Sequence, residues 1–265
     1  MGTQVQHGER PFAVVTGASR GIGAAYARAL AAKGYDLLLL SRDKIRLDQL
    51  ASDLISRHHG AVYPEAMDLA ESGAAHRLYV AARQRRQHLD LLVLNAGFGL
   101  FGDFAAMPLP RVQEMLQLHI QMNVESIRLF LPGMIERRSG GIITVASLAG
   151  LFPVPYLAEY AATKSFLISF SESLAEEVRE SGVRVQVCCP GSTATDFHAT
   201  AGFRPKSPLK AHDPTQVVKA SLAALESGPS LVTIGWEGRV MAWLARYLPR
   251  TLLAKAAARW TRPRP

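Results

Sequence analysis

Short apolar runs alternate along this chain with segments whose apolar residues recur at helical spacing, and no other feature narrows its folds as far. Strands are expected at Phe12–Val15, Tyr35–Leu40, Ala61–Met67, Leu91–Leu94, Gly141–Val145, Val183–Cys189 and Leu231–Ile234. Helices are expected between them at Ala24–Lys33, Lys44–His59, Asp68–His88, Val112–Arg138, Ala158–Glu180 and Asp213–Ser227. Runs such as Leu37–Leu40 leave no polar face, so these strands are buried on both sides, as in a parallel sheet. The alternation predicts an α/β fold, a doubly wound parallel sheet with helices on both faces.

With 265 residues and no linker or repeat, one domain over 1–265 is expected. Apolar residues make up 48% and charged residues 20%, which excludes a disordered or fibrous chain. Cys188 and Cys189 are the only cysteines. Adjacent on a strand they point to opposite faces, which excludes a disulfide scaffold and fits a reducing compartment. Met1–Arg10 lacks an apolar core and no run of 18 apolar residues occurs, so a cytoplasmic location is expected. The formal charge of +8 favours contact with anions. Without a groove-reading helix motif, nucleic acid is not the expected partner. His58 and His59 are adjacent rather than four apart, and no metal site is expected.

The first expected strand runs into Thr16-Gly17-Ala18-Ser19-Arg20-Gly21-Ile22-Gly23. Gly17 permits a sharp turn, Gly21 leaves room for a pyrophosphate against the backbone, and Gly23 lets the helix approach the strand. The helix start offers unpaired N–H groups to the anion. A tight strand–helix connection would use the same glycines, but their place after the first strand favours a Rossmann-type nucleotide cradle. Ser41-Arg42-Asp43 follows the second strand. An acid at the strand end would hold a ribose 2′-hydroxyl, whereas arginine accepts a 2′-phosphate. Ser41 is not an acid, and Arg42 with Arg20 offers two cations to a phosphate, favouring NADPH. Asp43 suits an N-cap before Lys44 and leaves NADH open.

Tyr160 and Lys164 stand one helical turn apart. A phenol ordinarily titrates near 10, and a fixed ammonium favours its phenolate. A phenol tuned in this way can protonate the alkoxide formed when hydride reaches a ketone.

The sequence resembles the single-domain short-chain dehydrogenase/reductase family, in its 3-oxoacyl reductase and 17β-hydroxysteroid-dehydrogenase-like branch. The resemblance is carried in order by Thr16–Gly23, Asp68, Asn95-Ala96-Gly97, Ser147, Tyr160 with Lys164, and Pro190-Gly191-Ser192-Thr193-Ala194-Thr195. It implies Tyr160 as general acid and base, with Lys164 lowering its pKa and holding the nicotinamide ribose. Ser147 would donate to the substrate carbonyl. Asn95, Ala96 and Gly97 would line the cofactor, and Asp68 with Leu69 would meet its adenine. Pro190 and Gly191 would lie under the nicotinamide, with Thr193 and Thr195 beside it. The resemblance also implies a homodimer or homotetramer built through Val112–Arg138 and Ala158–Glu180.

One position departs from the family pattern. Where the family carries a catalytic Asn supporting a water chain to the Lys, register places His119, with Asn123 one turn further on. Either His119 holds the water through a ring nitrogen, or Asn123 reaches in, or the relay is degraded. The first reading predicts a pH response near 6.5.

Phe98, Leu148, Phe152, Tyr156 and Phe197 are expected around the substrate, so a hydrophobic carbonyl compound fits better than a sugar. A lid is expected over 198–212, where Arg204, Lys206 and Lys210 suit an acyl-carrier phosphate or simply solvent. The basic segment 238–265 suits either an anionic membrane or packing on the protein itself. The expected activity is NADPH-dependent reduction of hydrophobic ketones or aldehydes. A 3-oxoacyl thioester reductase and a catalytically weak NADP(H)-sensing protein are the rivals.

Overall fold

The structure is a computed structural model and describes residues 10–195, 197 and 211–262. Its strands are β1 (Phe12–Thr16), β2 (Asp36–Ser41), β3 (Val62–Ala66), β4 (Leu91–Leu94), β5 (Gly140–Val145), β6 (Val183–Cys189) and β7 (Leu231–Thr233). They form one sheet in the order β3-β2-β1-β4-β5-β6-β7, parallel at every pairing. The order reverses between β1 and β4, and a crevice opens beyond the carboxyl ends of strands at such a switch point.

The helices are α1 (Gly21–Ala32), α2 (Lys44–His58), α3 (Ala74–Arg85), α4 (Leu109–Leu116), α5 (Met122–Glu136), α6 (Ala158–Glu177), α7 (Pro214–Ser227), α8 (Gly235–Tyr247) and α9 (Arg250–Thr261). Helices α1, α2 and α7 cover one face of the sheet over Val15, Leu37 and Leu39. Helices α3, α5 and α6 cover the other over Val14, Leu38 and Leu40. This is the expected Rossmann-type α/β fold. The pleat separates the two cysteines as the sequence implies. Cys188 joins the first core, while Cys189 packs with Leu167 and Ile168 of α6.

Two expected helices differ. Residues 68–73 are not helical: Asp68 Oδ1 accepts the Ala70 N–H at 3.0 Å, and Gly73 takes φ +73° before α3 begins. An aspartate bonding two residues on stabilises a turn in place of a helix. The expected helix Val112–Arg138 is interrupted by a π turn at Gln117–Gln121 between α4 and α5. Such turns break the i→i−4 ladder, and Asn123 Nδ2 donates to both Leu118 O and His119 O there. The basic C-terminal segment is helical from Gly235, and Pro249 divides it into α8, with Arg239 and Arg246, and α9, with Arg250. Most of the expected lid, residues 198–210, lies outside the described residues.

Candidate active site

The carboxyl ends of β1 and β4 are joined by the Thr16 hydroxyl. It accepts the Asn95 and Ala96 N–H groups at 2.9 and 3.0 Å and donates to Val93 O at 3.3 Å. Asn95 Nδ2 donates to Thr16 O and Gly17 O, so Asn95 braces the glycine turn from the side.

The turn has no room for other residues at its key positions. Gly17 and Gly21 take φ of +66° and +56°. A Cβ on Gly23 would stand 2.2 Å from Gly17 O, and one on Gly21 would stand 2.9 Å from Thr195 Cγ2. Thr195 therefore faces the turn across the crevice, with its N–H bonded to Thr193 O at 2.8 Å. Thr193 Oγ1 donates to Gly191 O at 3.1 Å. Pro190 O accepts the Leu148 N–H at 3.0 Å, which ties that segment to the Ser147 turn. Helix α1 starts without a side-chain cap, with its first turn open toward the crevice. This cradle fits a dinucleotide pyrophosphate.

At the end of β2, Ser41 Oγ and Ser19 Oγ lie 2.8 Å apart. Asp43 caps α2 by accepting the Arg46 N–H at 3.1 Å, the structural use of that carboxylate. Arg42 bridges Glu114 at 3.3 Å and Asp68 at 3.7 Å and is largely exposed. Arg20 is also exposed, beside the turn. Leu69, beside Asp68, turns its side chain into the core with Leu40 and Leu78, so a cleft is left only its backbone. Ile22 packs against the core beneath α1.

Ser147, at the end of β5, and Tyr160 and Lys164, on α6, converge at the same edge of the sheet. Lys164 Nζ donates to Val145 O at 2.9 Å and lies 5.7 Å from the Tyr160 ring centre. Burial raises the Tyr160 phenol to about 12, against a hydrogen bond with Ser147 that lowers it. Burial lowers the Lys164 ammonium to about 8. The expected lowering of Tyr160 by Lys164 is thus reversed in the protein alone, because burial penalises both charged forms. The phenol stays protonated at neutral pH and can give a proton.

His119 is placed against the site, but not as a water ligand. It is fully buried, with 0% exposure. Its Nε2 accepts the Phe98 N–H at 3.1 Å, and its Nδ1 lies 2.9 Å from Thr163 Oγ1. Both ring nitrogens are engaged. Burial, then the charge of Lys164, hold the ring well below 6.5. The expected titration near 6.5 is therefore corrected. Asn123 Nδ2 donates to Leu118 O and His119 O within the π turn, and its Oδ1 is buried without a hydrogen-bond partner among the described residues.

Phe98, Phe152 and Phe197 gather with Met115 and Leu157 around Tyr160, and the Tyr160 and Phe197 rings are 5.4 Å apart. Tyr156 takes φ +63°, and its hydroxyl accepts Arg262 Nε at 3.2 Å. Leu148 sits elsewhere, with Leu151, Leu167 and Leu231, 3.2 Å from where a Gly191 Cβ would stand. Sequence reasoning gave no role to Thr163 and no place beside the site to α9, whose Ala257 packs against the aromatic cluster. Thr163 lies inside the Tyr160–Lys164 spacing, but only the fold brings His119 to it. No cluster of metal-ligating side chains occurs among the described residues.

Residues 11–204 match the model of the family described as short chain dehydrogenase. The very-long-chain 3-oxoacyl-CoA reductase of Phaeosphaeria nodorum is 34% identical over 250 residues, 89% of this chain and 72% of that protein. A short-chain dehydrogenase from Sphingobium yanoikuyae, solved in complex with NADPH, superposes with a TM-score of 0.79 at 29% identity, covering 84% of this chain and 87% of that one. The bulky-bulky ketone specific alcohol dehydrogenase from Comamonas testosteroni superposes with a TM-score of 0.75 at 25% identity, covering 90% and 99%. The motifs, the crevice and the matched length agree: the chain belongs to the short-chain dehydrogenase family.

Proposed function

We propose that this oxidoreductase uses NADP(H) to reduce hydrophobic carbonyl compounds, with Tyr160 as the proton donor. The observation that carries this reading is the buried Tyr160, set between Lys164 and the Phe98–Phe152–Phe197 cluster with Ser147 at the same carboxyl edge of the sheet. The bound cofactor supplies hydride. The protein's part is to hold the carbonyl oxygen between two hydroxyls. Ser147 Oγ donates to that oxygen as charge develops, and the Tyr160 hydroxyl gives it a proton. Lys164, fixed on Val145 O, stabilises the phenolate left behind and orients the nicotinamide ribose.

The glycine cradle, Asn95, Thr193 and Thr195 fit the dinucleotide, and Ser41 and Arg42 fit the 2′-phosphate of NADP(H) better than the ribose 2′-hydroxyl of NAD(H). The engagement of Asp43 in capping α2 supports the same choice. The Phe98–Phe152–Phe197 wall supports an apolar substrate, as does the bulky-ketone specificity of the Comamonas enzyme. A 3-oxoacyl thioester is the second reading, favoured by the Phaeosphaeria relative. Association through α5 and α6 is proposed as well, since Ile135, Phe166 and a stacked Phe166–Phe170 pair lie on these helices, the first two exposed.

The test is NADPH oxidation at 340 nm against a bulky aryl ketone, a steroid ketone and an acetoacetyl thioester. Turnover is expected with NADPH and is expected to fall about 10²–10⁴-fold in Tyr160→Phe. Nucleotide binding without turnover on any ketone would overturn the reading and leave a nucleotide sensor.

A further inference from the structure

We propose that α8 and α9 dock the protein on the surface of an anionic lipid bilayer. On α8, Trp236, Val240, Trp243 and Tyr247 recur at helical spacing and all face solvent. Leu248, just before Pro249, and Leu252 and Trp260 on α9 are exposed as well. The chain has three tryptophans. All three lie here, 63%, 59% and 60% exposed. Large apolar side chains gathered in one exposed patch mark a contact surface.

Six cations share this segment, Arg239, Arg246, Arg250, Lys255, Arg259 and Arg262, against the single acid Glu237. All six are exposed, and no ion pair among the described residues engages them. Tryptophan and tyrosine, apolar in body and polar at one edge, suit the headgroup boundary of a bilayer. Arginine and lysine suit its anionic phosphates. A second copy of the chain suits this face poorly. Two-fold pairing sets a patch against itself, and here it would bring two strongly cationic faces together with one glutamate each. No helix among the described residues is long and apolar enough to cross a membrane, so the contact is peripheral.

The inner side of α9 packs on the aromatic cluster beside Tyr160. Leu253 and Thr261 are buried, Ala257 packs on the Phe98–Phe152–Phe197 cluster, and Arg262 Nε donates to the Tyr156 hydroxyl. A carbonyl substrate dissolved in lipid would thus enter beside Tyr160 beneath α9. That link rests on the reductase reading; the docking does not.

Because every tryptophan lies on α8 or α9, tryptophan emission of the full chain reports on these two helices alone. Vesicles containing phosphatidylserine are expected to shift emission to the blue and to carry the protein into the pellet, with reversal at high salt. Pure phosphatidylcholine vesicles are expected to do neither. The Trp243→Gln/Tyr247→Gln double variant is expected to partition about tenfold less, with an unchanged melting temperature. Unshifted emission with all protein in the supernatant for both vesicle types overturns the proposal. So does concentration-dependent self-association that the double variant abolishes without any vesicle binding. Ketone turnover is read separately: vesicle binding by a chain that reduces nothing sustains the docking and defeats the reductase reading.

Discussion

His119 Nδ1 lies 2.9 Å from Thr163 Oγ1, while the Phe98 N–H on Nε2 fixes the state of the ring. Nε2 accepts the Phe98 N–H, so it carries no hydrogen. The neutral ring therefore bears its hydrogen on Nδ1 and donates to Thr163, whose own hydroxyl donates to Tyr160 O at 2.8 Å. One imidazole thus joins the turn after Asn95 to the helix that carries Tyr160 and Lys164. A Cβ on Gly97 would stand 2.9 Å from Nε2, so the turn is shaped around the ring. His119 is a positioning residue.

Protonating Nε2 would set two donors against each other at Phe98, so the folded protein resists charging His119. Its folded pKa lies below the ordinary 6.5. Above 6.5 the ring is neutral folded or unfolded and pH has no effect through it. As pH falls below 6.5, the unfolded chain takes a proton that the folded one refuses, and stability is lost. Relative to His119→Gln, the wild type is expected to lose up to about 1.4 kcal/mol per pH unit below that point. Urea melts between pH 7 and 5 check this; parallel stability curves would sink it. The pH profile of kcat is expected to show no step from His119.

Lys164 sets the opposite limb. Its ammonium titrates at about 8 in the protein alone, so the charge that stabilises a Tyr160 phenolate fades above that pH. Ketone reduction is expected to decline as pH rises from 7 to 9, up to about tenfold per unit beyond the inflection. Initial rates at saturating NADPH read this directly, and a flat profile to pH 9 would remove Lys164 from the proposed role.

The sheet was legible in the sequence because its strands are apolar runs between helical repeats, and β4 and β6 begin and end as expected. Local chemistry overrode periodicity elsewhere. The Asp68 side chain holds a turn in what reads as a helix, and the π turn at His119 leaves no periodic signature. Ser147, Tyr160, Lys164 and the glycines were legible through order and spacing. The engagement of His119 by Phe98 and Thr163 was not, since those partners are 21 and 44 positions away. Nor was the reversed Tyr160 shift, because burial depends on packing that no spacing reveals.

Nucleotide choice is expected to turn on Ser41 and Arg42. Ser41 Oγ lies 2.8 Å from Ser19 Oγ, and Arg42 spans Glu114 and Asp68 beside it. Ser41→Asp puts a carboxylate where a 2′-phosphate would lie, and Arg42→Gln removes a charge-assisted partner. Each is expected to cut the NADPH-to-NADH ratio of kcat/KM about 10–100-fold. An unchanged ratio in both variants would show that the 2′-phosphate binds elsewhere.

Gly23 and Gly133 are both helical, yet alanine is expected to act oppositely at the two. A Cβ on Gly23 would stand 2.2 Å from Gly17 O and 2.6 Å from Asn95 Nδ2. Neither neighbour can yield: the Gly17 carbonyl belongs to a left-handed turn, and Asn95 is bonded to Thr16 O. The start of α1 must then lift from β1, at a cost of about 1–3 kcal/mol, and the anion cradle opens with it. Gly133, on α5, has only Arg137 Nη1 at 3.8 Å, ordinary contact distance. There alanine lowers the entropy of the unfolded chain and is expected to stabilise by about 0.4–1 kcal/mol. Thermal melts with and without NADP give both signs. Gly23→Ala should lose stability and most of the nucleotide-induced rise in Tm, while Gly133→Ala should keep that rise intact. Equal nucleotide-induced shifts in the two variants would mean that the glycine turn does not hold the dinucleotide.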